Sequence, residues 1–122
     1  MNGNKIFLDT NIVIYILSGK SKYIELVKDK DIFVSIITEL ELLSYDFDTN
    51  SDEIKTRNFL EFTNIVGINK NIKELTISVR KKYNLKLPDS IILATALNKN
   101  IDLETKDKDL YKTYNKIKKW FK

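Results

Sequence analysis

Short apolar runs alternate with helical segments along this chain, and this alternation limits its fold more than any other feature. Strand-like runs lie at Lys5 to Leu8, Ile32 to Ser35, Ile65 to Ile68 and Ile101 to Thr105. Between these runs lie segments whose apolar residues recur at helical spacing. Strands joined through helices pair in parallel, since the helix returns the chain across a face of the sheet. We expect an α/β fold, a three-layer doubly wound parallel sheet of four to five strands with helices on both faces.

The intervening helices are marked by periodicity and by capping residues. We expect them over residues 12–17, from Ser21 as a cap, over 38–45, from Asp52, from Asn71 in a capping box with Glu74, and over 88–99. The helix over 88–99 is apolar around most of its circumference, so it must be buried. Asn100 can end it in the left-handed conformation. The tail around Ile117 to Phe121 fits either a last short strand or a basic helix.

Composition narrows the functional classes. The 122 residues suit one domain over 1–122 and contain no cysteine and no histidine. Histidine-dependent ribonuclease or hydrolase chemistry is therefore excluded, as are disulfides and thiolate nucleophiles. No apolar run approaches the ~20 residues of a membrane span, and Met1 to Lys5 show no export signal, so we expect a cytoplasmic protein without membrane contact. The net charge of +4 permits an anionic partner such as RNA.

Three aspartates are placed at one edge of the predicted sheet. Asp9 ends the first strand and Asp107 follows the fourth, so both lie at the carboxyl edge. The helix of Asp89 ends at Asn100, just before a strand that begins at the amino edge, so Asp89 starts that helix at the carboxyl edge. Each has an ordinary structural interpretation, as a helix cap or as a first-turn acid. Three acids at one edge are harder to explain in this way.

A glutamate on the helix after the second strand is the fourth candidate. Glu41 lies one turn beyond Thr38, and Glu39 competes with it. Two helical positions, at roughly 100° per residue, place these side chains on nearly opposite sides, so only one can face the site. Oxygen donors without histidine or cysteine suit Mg²⁺ or Mn²⁺ and disfavour zinc or copper. Such a site suits hydrolysis of phosphodiester bonds, because two ions can activate a water and stabilise the leaving oxygen.

Four segments resemble the motifs of PIN-domain ribonucleases of the VapC toxin type. They are Ile6-Phe7-Leu8-Asp9-Thr10-Asn11, Ser35-Ile36-Ile37-Thr38-Glu39-Leu40-Glu41-Leu42-Leu43, Leu87-Pro88-Asp89-Ser90-Ile91-Ile92-Leu93-Ala94-Thr95-Ala96 and Leu103-Glu104-Thr105-Lys106-Asp107. Their order and spacing match over nearly the whole chain. The resemblance selects Glu41 over Glu39.

The resemblance also implies roles for individual residues. Asp9, Glu41, Asp89 and Asp107 would be the catalytic, metal-binding acids. Thr10, Asn11 and Thr105 would support them through hydroxyl and amide groups, and Asp109 is a reserve candidate for the fourth acid. The family further implies an endoribonuclease, a homodimer, and inhibition by a cognate antitoxin whose peptide occupies the active-site groove.

The chain departs from the family pattern at three places. Ser44-Tyr45 stands where a glycine commonly follows the E-L segment, and Leu110 replaces an aromatic residue. Glu104 puts a charge in a strand that should be covered on both faces. It marks either an exposed edge or a fifth carboxylate.

Other functions remain to be weighed against a toxin nuclease. A phosphatase of the haloacid-dehalogenase type needs a second acid two residues after the first, where this chain has Asn11. A housekeeping RNA-processing PIN nuclease fits the same residues. A non-catalytic PIN-like module would bind RNA or a protein through Lys106, Lys108 and the region from Lys116 to Lys119, but it would not need all four acids.

Overall fold

The computed structural model describes residues 4–120 and contains one parallel sheet. Its strands are β1 (Lys5–Leu8), β2 (Asp31–Ser35), β3 (Asn64–Val66) and β4 (Leu103–Glu104), in the order β3-β2-β1-β4. All three neighbouring pairs are parallel. The predicted α/β sheet is confirmed, with four strands in the described part of the chain. The fourth is only two residues long, shorter than the run from Ile101 to Thr105 suggested.

Helices separate the strands, as the periodicity predicted. Within the described residues they are α1 (Thr10–Leu17), α2 (Ser21–Val27), α3 (Ile36–Leu43), α4 (Asn50–Glu61), α5 (Lys70–Tyr83), α6 (Leu87–Lys99) and α7 (Lys108–Lys118). Asn100 ends α6 in the left-handed conformation, with φ 55°. None of the helices described between residues 4 and 120 has the length and apolarity that crossing a membrane requires.

The capping residues differ from the predicted ones at three helices. Ser21 is the first residue of α2, and Lys20 before it makes no side-chain cap. The cap of α5 is Asn69, whose side-chain oxygen accepts the Ile72 N–H at 2.8 Å, so Asn71 lies inside the first turn and is not the cap. Helix α4 begins two residues before Asp52, because Thr49 accepts the Asp52 N–H. A cap must reach an N–H two or three residues onward, which apolar periodicity does not locate.

Two apolar cores lie on the two faces of the sheet. Alternate side chains of a strand point to opposite faces, so Phe7 packs with α5, α6 and α7, while Ile6 and Leu8 pack with residues of α1, α2, α3 and α4. Every residue of α6 from Ser90 through Leu97 is buried. This helix is enclosed all round, as its composition required, and its buried position fixes where Asp89 stands.

The described end of the chain is helical up to Lys118, and a turn follows at residues 119–120. Helix α7 continues to Lys118, so the basic helix is the correct alternative and a strand starting at Ile117 is wrong; Phe121 lies outside the described residues. The Tyr114 hydroxyl donates to the Ile101 carbonyl at 2.9 Å, and Lys118 pairs with Asp102. These contacts hold α7 beside β4 and place its first residue at the carboxyl edge of the sheet.

Candidate active site

A cavity of about 690 Å³ opens at the carboxyl edge of the sheet. Its walls come from the ends of β1 and β4, from α1 and α3, from the loop between α3 and α4, and from the first turns of α4 and α6. Four of its lining residues are the acids singled out in the sequence: Asp9, Glu41, Asp89 and Asp107. The fold therefore brings together residues that are up to 98 positions apart, since the first is residue 9 and the last is residue 107.

Asp9 is the most buried of these acids, with 5% of its surface exposed. One carboxylate oxygen accepts the Thr10 N–H at 2.7 Å, and the other accepts the Thr105 hydroxyl at 2.6 Å. Burial raises the pKa of Asp9, because it removes water from the charged form; the two hydrogen bonds oppose this, and the Asp107 charge adds to it. Asp9 is therefore a desolvated carboxylate held in one orientation.

The charges of all three other acids act on the pKa of Asp89. Asp89 lies in the first turn of α6, half-buried, and burial is the largest cause of its raised pKa. The charges of Asp9, Asp107 and Glu41 raise it further, while Lys86 lowers it. The four carboxylates thus repel one another across one cavity, which a cation would relieve.

Glu41 is positioned by a short hydroxyl chain. Its carboxylate accepts the Thr10 hydroxyl at 2.7 Å, and the Thr10 oxygen lies 2.9 Å from the hydroxyl oxygen of the fully buried Thr38. Thr10 has only one hydroxyl hydrogen, so Thr38 is the donor to Thr10. Glu39, on the same helix, is not among the residues that line the cavity. The prediction that only one of the two glutamates faces the site therefore agrees with the geometry.

Asp107 both caps a helix and lines the cavity. Its side chain accepts the N–H groups of Asp109 and Leu110 at 3.0 and 3.1 Å, and its own N–H donates to Thr105 at 3.0 Å. Thr105 consequently bridges Asp107 to Asp9. The exposed side chain of Asp109, the reserve candidate, is not part of the cavity wall.

The remaining predicted residues divide into two groups. Asn11 lines the cavity with Thr10, whereas Lys106 and Lys108 are exposed beside Asp107 and do not line it. Glu104 is half-buried on β4, which is an edge strand, and it too is absent from the wall. This position at the edge of the sheet favours the edge explanation for the charge over a fifth carboxylate.

Sequence reasoning missed the opposite side of the cavity. Tyr45, Phe47 and Asp48 from the loop after α3, with Asp52 and Lys55 of α4, line it together with Ile14 and Leu17. The available signal was the aromatic residue at position 45, where the family pattern has a glycine nearby. An irregular loop has no periodicity from which its side-chain directions can be read.

The donor chemistry of the cavity fits Mg²⁺ or Mn²⁺. The four candidate ligands bind through carboxylate oxygens, which hard divalent cations prefer. Across residues 4–120, no three acidic side chains form a cluster arranged to hold an ion as they stand. Burial is the largest cause of the raised pKa of Asp89, and the charges of Asp9, Asp107 and Glu41 add to it.

Fold and site together define the class as a three-layer α/β protein with an acidic cavity where its parallel strands end. Within this class, the family model described as PIN domain matches residues 6–116. The chain belongs to the PIN domain family, which confirms the resemblance of the four sequence segments.

Individual relatives agree with this assignment. The chain is 31% identical over 117 aligned residues to "Ribonuclease VapC2" of Methanocaldococcus jannaschii, covering 78% of each protein. It is 34% identical to a chain of the toxin–antitoxin complex from Klebsiella pneumoniae, with a TM-score of 0.75 and coverage of 84% and 86%. VapBC2 of Rickettsia felis, solved with a promoter DNA fragment, is 20% identical, has a TM-score of 0.79 with coverage of 89% and 92%, and supports the fold alone.

Proposed function

We propose that this chain is a divalent-metal-dependent endoribonuclease that hydrolyses RNA phosphodiester bonds, and that it is the toxin of a toxin–antitoxin pair. The observation that carries the nuclease proposal is electrostatic: the charges of Asp9, Glu41 and Asp107 all act on Asp89 in one cavity. The similarity to "Ribonuclease VapC2" supports RNA as the substrate.

The chain's own residues would hold and orient the site. Asp9, Glu41, Asp89 and Asp107 would bind Mg²⁺ or Mn²⁺, with Asp9 and Glu41 held in place by hydroxyls of Thr105 and Thr10. Bound there, the cations would lower the pKa of a water and offset charge on the phosphodiester. The absence of histidine is consistent with this mechanism, because a water whose pKa is lowered by a cation needs no imidazole to remove its proton.

Metal dependence and the choice of glutamate can be tested together on single-stranded RNA. We expect cleavage with Mg²⁺ or Mn²⁺ and none in excess EDTA. Glu41→Gln should lower kcat/KM by more than the about 10- to 100-fold typical of residues that only orient a ligand. Glu39→Gln is the matched control, since Glu39 shares the helix but does not line the cavity, and it should cleave like the wild type. Cleavage in EDTA, or the reverse order of the two variants, would overturn the proposal.

We further propose that the protein acts in the cytoplasm as a homodimer restrained by a cognate antitoxin. The complex from Klebsiella pneumoniae supports the antitoxin, because its chain is 34% identical to this one over most of its length. A housekeeping RNA-processing nuclease is the alternative. A toxin should arrest growth when expressed alone, and co-expression of a small protein encoded by the adjacent gene should restore it. Growth unaffected by active enzyme favours housekeeping, and sedimentation measures the dimer.

A further inference from the structure

Two aromatic rings stand on one side of the acidic cavity. Tyr45 and Phe47 both line it, with ring centroids 6.0 Å apart and ring planes at 75°. Tyr45 is 72% exposed, so it contributes little to either core. An edge-to-face pair fixes the direction of the rings and leaves ring surface free. Tyr45 therefore lines the cavity with most of its surface exposed and with its ring held at a fixed angle to that of Phe47.

Tyr45 also lies close to the acids along the chain. It follows Ser44, which ends α3 with helical backbone angles, so Tyr45 comes one helical turn after Glu41. One turn advances about 5.4 Å along the helix axis, and both Glu41 and Tyr45 line the cavity. A nucleotide whose phosphate lies at the acids can thus place a neighbouring base beside Tyr45.

The aromatic side of the cavity carries more negative than positive charge. Asp48 in the loop and Asp52 in α4 both line it, and Asp46 lies beside them in the chain. Lys55 of α4 also lines this side, and its ammonium donates a hydrogen bond to the Leu17 carbonyl at 2.7 Å. Because the carboxylates outnumber this ammonium, this side repels phosphates but accepts an uncharged base.

Exposed lysines lie close to the acids, outside the cavity wall. Lys86 precedes α6 and acts electrostatically on Asp89, and Lys106 and Lys108 flank Asp107 in the chain. Lysine ammonium groups bind phosphates. A strand that enters the cavity would therefore keep its phosphates near these lysines and turn a base toward the rings.

We propose that Tyr45, supported by Phe47, stacks on a nucleobase next to the cleaved phosphate of single-stranded RNA, while Lys86, Lys106 and Lys108 face its phosphates. This inference rests on the proposed function and names a residue that would position its substrate. A base can offer its flat face to Tyr45 only when it is free of a double helix, so duplex RNA is excluded. Stacking tolerates every base, so the aromatic pair selects strandedness more strongly than sequence.

The test removes the proposed stacking contact in two ways, by replacing Tyr45 in the protein and by removing a base from the RNA. Cleavage sites are first mapped with the wild type on a single-stranded RNA, and then each flanking base is replaced by an abasic ribose. Tyr45→Ala should lower kcat/KM about 5- to 150-fold on intact RNA, the range of one stacked base. Removing the stacked base should cost the wild type a similar factor and cost Tyr45→Ala little more.

Matched variants separate stacking from loss of structure. Tyr45→Phe keeps the ring and should cleave within about twofold of the wild type, since the hydroxyl is not used in stacking. Phe62→Ala removes another exposed aromatic side chain, 84% exposed and outside the cavity, and should have no effect. Wild-type cleavage by Tyr45→Ala, or an equal loss on intact and abasic RNA, would overturn the stacking proposal. The stacking proposal would also be overturned if Tyr45→Ala cleaved RNA like the wild type and lost only its binding to a protein partner.

A binding measurement distinguishes this proposal from the proposed function. The Glu41→Gln protein is mixed with single-stranded RNA carrying 2-aminopurine, whose fluorescence falls when it stacks. We expect quenching when 2-aminopurine stands at one position of the RNA. The quenching should be lost when Tyr45→Ala is combined with Glu41→Gln and kept when Tyr45→Phe is combined with it. Absence of cleavage by the wild type would defeat the nuclease while quenching still supported stacking. Cleavage without Tyr45-dependent quenching would defeat stacking and leave the nuclease intact.

Discussion

Asp9 and Glu104 stand at the ends of adjacent strands, yet only one belongs to the site. The Asp9 N–H donates to the Glu104 carbonyl at 3.0 Å, and burial is the largest cause of a raised pKa at both side chains. Asp9 accepts hydrogen bonds from Thr10 and Thr105 and shares its cavity with the three other candidate metal-binding acids. Glu104 lies outside that cavity, and the opposing influence on its pKa is the charge of Lys22.

This comparison shows that desolvation of a carboxylate does not by itself mark a functional site. Register pairs Leu8 with Glu104, whereas Asp9 is one residue further on, and successive residues leave a strand in different directions. What distinguishes Asp9 is convergence with other acids and hydroxyl donors that fix its oxygens. Perturbed pKa values point to sites only together with such geometry.

The largest expected difference between the two carboxylates is in activity. Asp9→Asn should lower RNA cleavage by more than about 100-fold, because it removes a proposed ligand to the cation rather than a group that orients one. Glu104→Gln should stay within about twofold, which is less than ~0.5 kcal/mol in the barrier. Initial rates at saturating Mg²⁺ measure both. Equal losses would mean that Glu104 contributes to catalysis and that the active site extends beyond the cavity.

A smaller difference should appear in metal-linked stability. Without metal, Asp9→Asn should gain about 0.5–2 kcal/mol, because it removes a desolvated charge while keeping a hydrogen-bonding side chain. Mg²⁺ at one hundred times its Kd should stabilise the wild type by about 2.7 kcal/mol and the Asp9→Asn protein much less.

Thermal melts with and without Mg²⁺, at fixed ionic strength, separate site binding from general screening. Glu104→Gln is the control and should respond to Mg²⁺ as the wild type does. An Asp9→Asn protein that is destabilised without metal and responds fully to it would make Asp9 a structural cap.

The same contrast explains how far the sequence could be read. Asp9, Asp89 and Asp107 could be placed because strand ends and a buried helix follow from apolar patterning. Patterning left Glu41 and Glu39 as alternatives, and only the resemblance to a family chose between them. Tyr45 and Phe47 could not be placed, since a loop's side chains are directed by tertiary contacts.

Asn69 shows the same limit at a smaller scale. The predicted cap, Asn71, is two residues away from it and has the same side chain, so composition could not separate them. Backbone direction at the helix entry decides which of the two reaches the free N–H. The end of the chain was ambiguous for a related reason, because helix α7 could be read only once Asp107 was known to cap it.

The smallest expected effect concerns Glu104 and pH. Its pKa in the folded protein lies above its ordinary value of 4.5, because burial outweighs the attraction of Lys22. The folded state therefore holds this proton more tightly than the unfolded state, and stability falls as pH rises through the interval between the two pKa values. Below about 4.5 Glu104 is protonated in both the folded and the unfolded state, so the penalty is absent; above the folded-state pKa the penalty is complete.

Glu104→Gln should match the stability of the wild type at low pH and exceed it near neutrality by a few tenths of a kcal/mol. Urea unfolding of both proteins from pH 4 to pH 8 measures the difference, which cancels the contribution of Asp9 because both proteins retain it. A wild type that is more stable than Glu104→Gln near neutrality, with the advantage disappearing at low pH, would mean that Glu104 is stabilised as a carboxylate, with Lys22 and not burial setting its pKa.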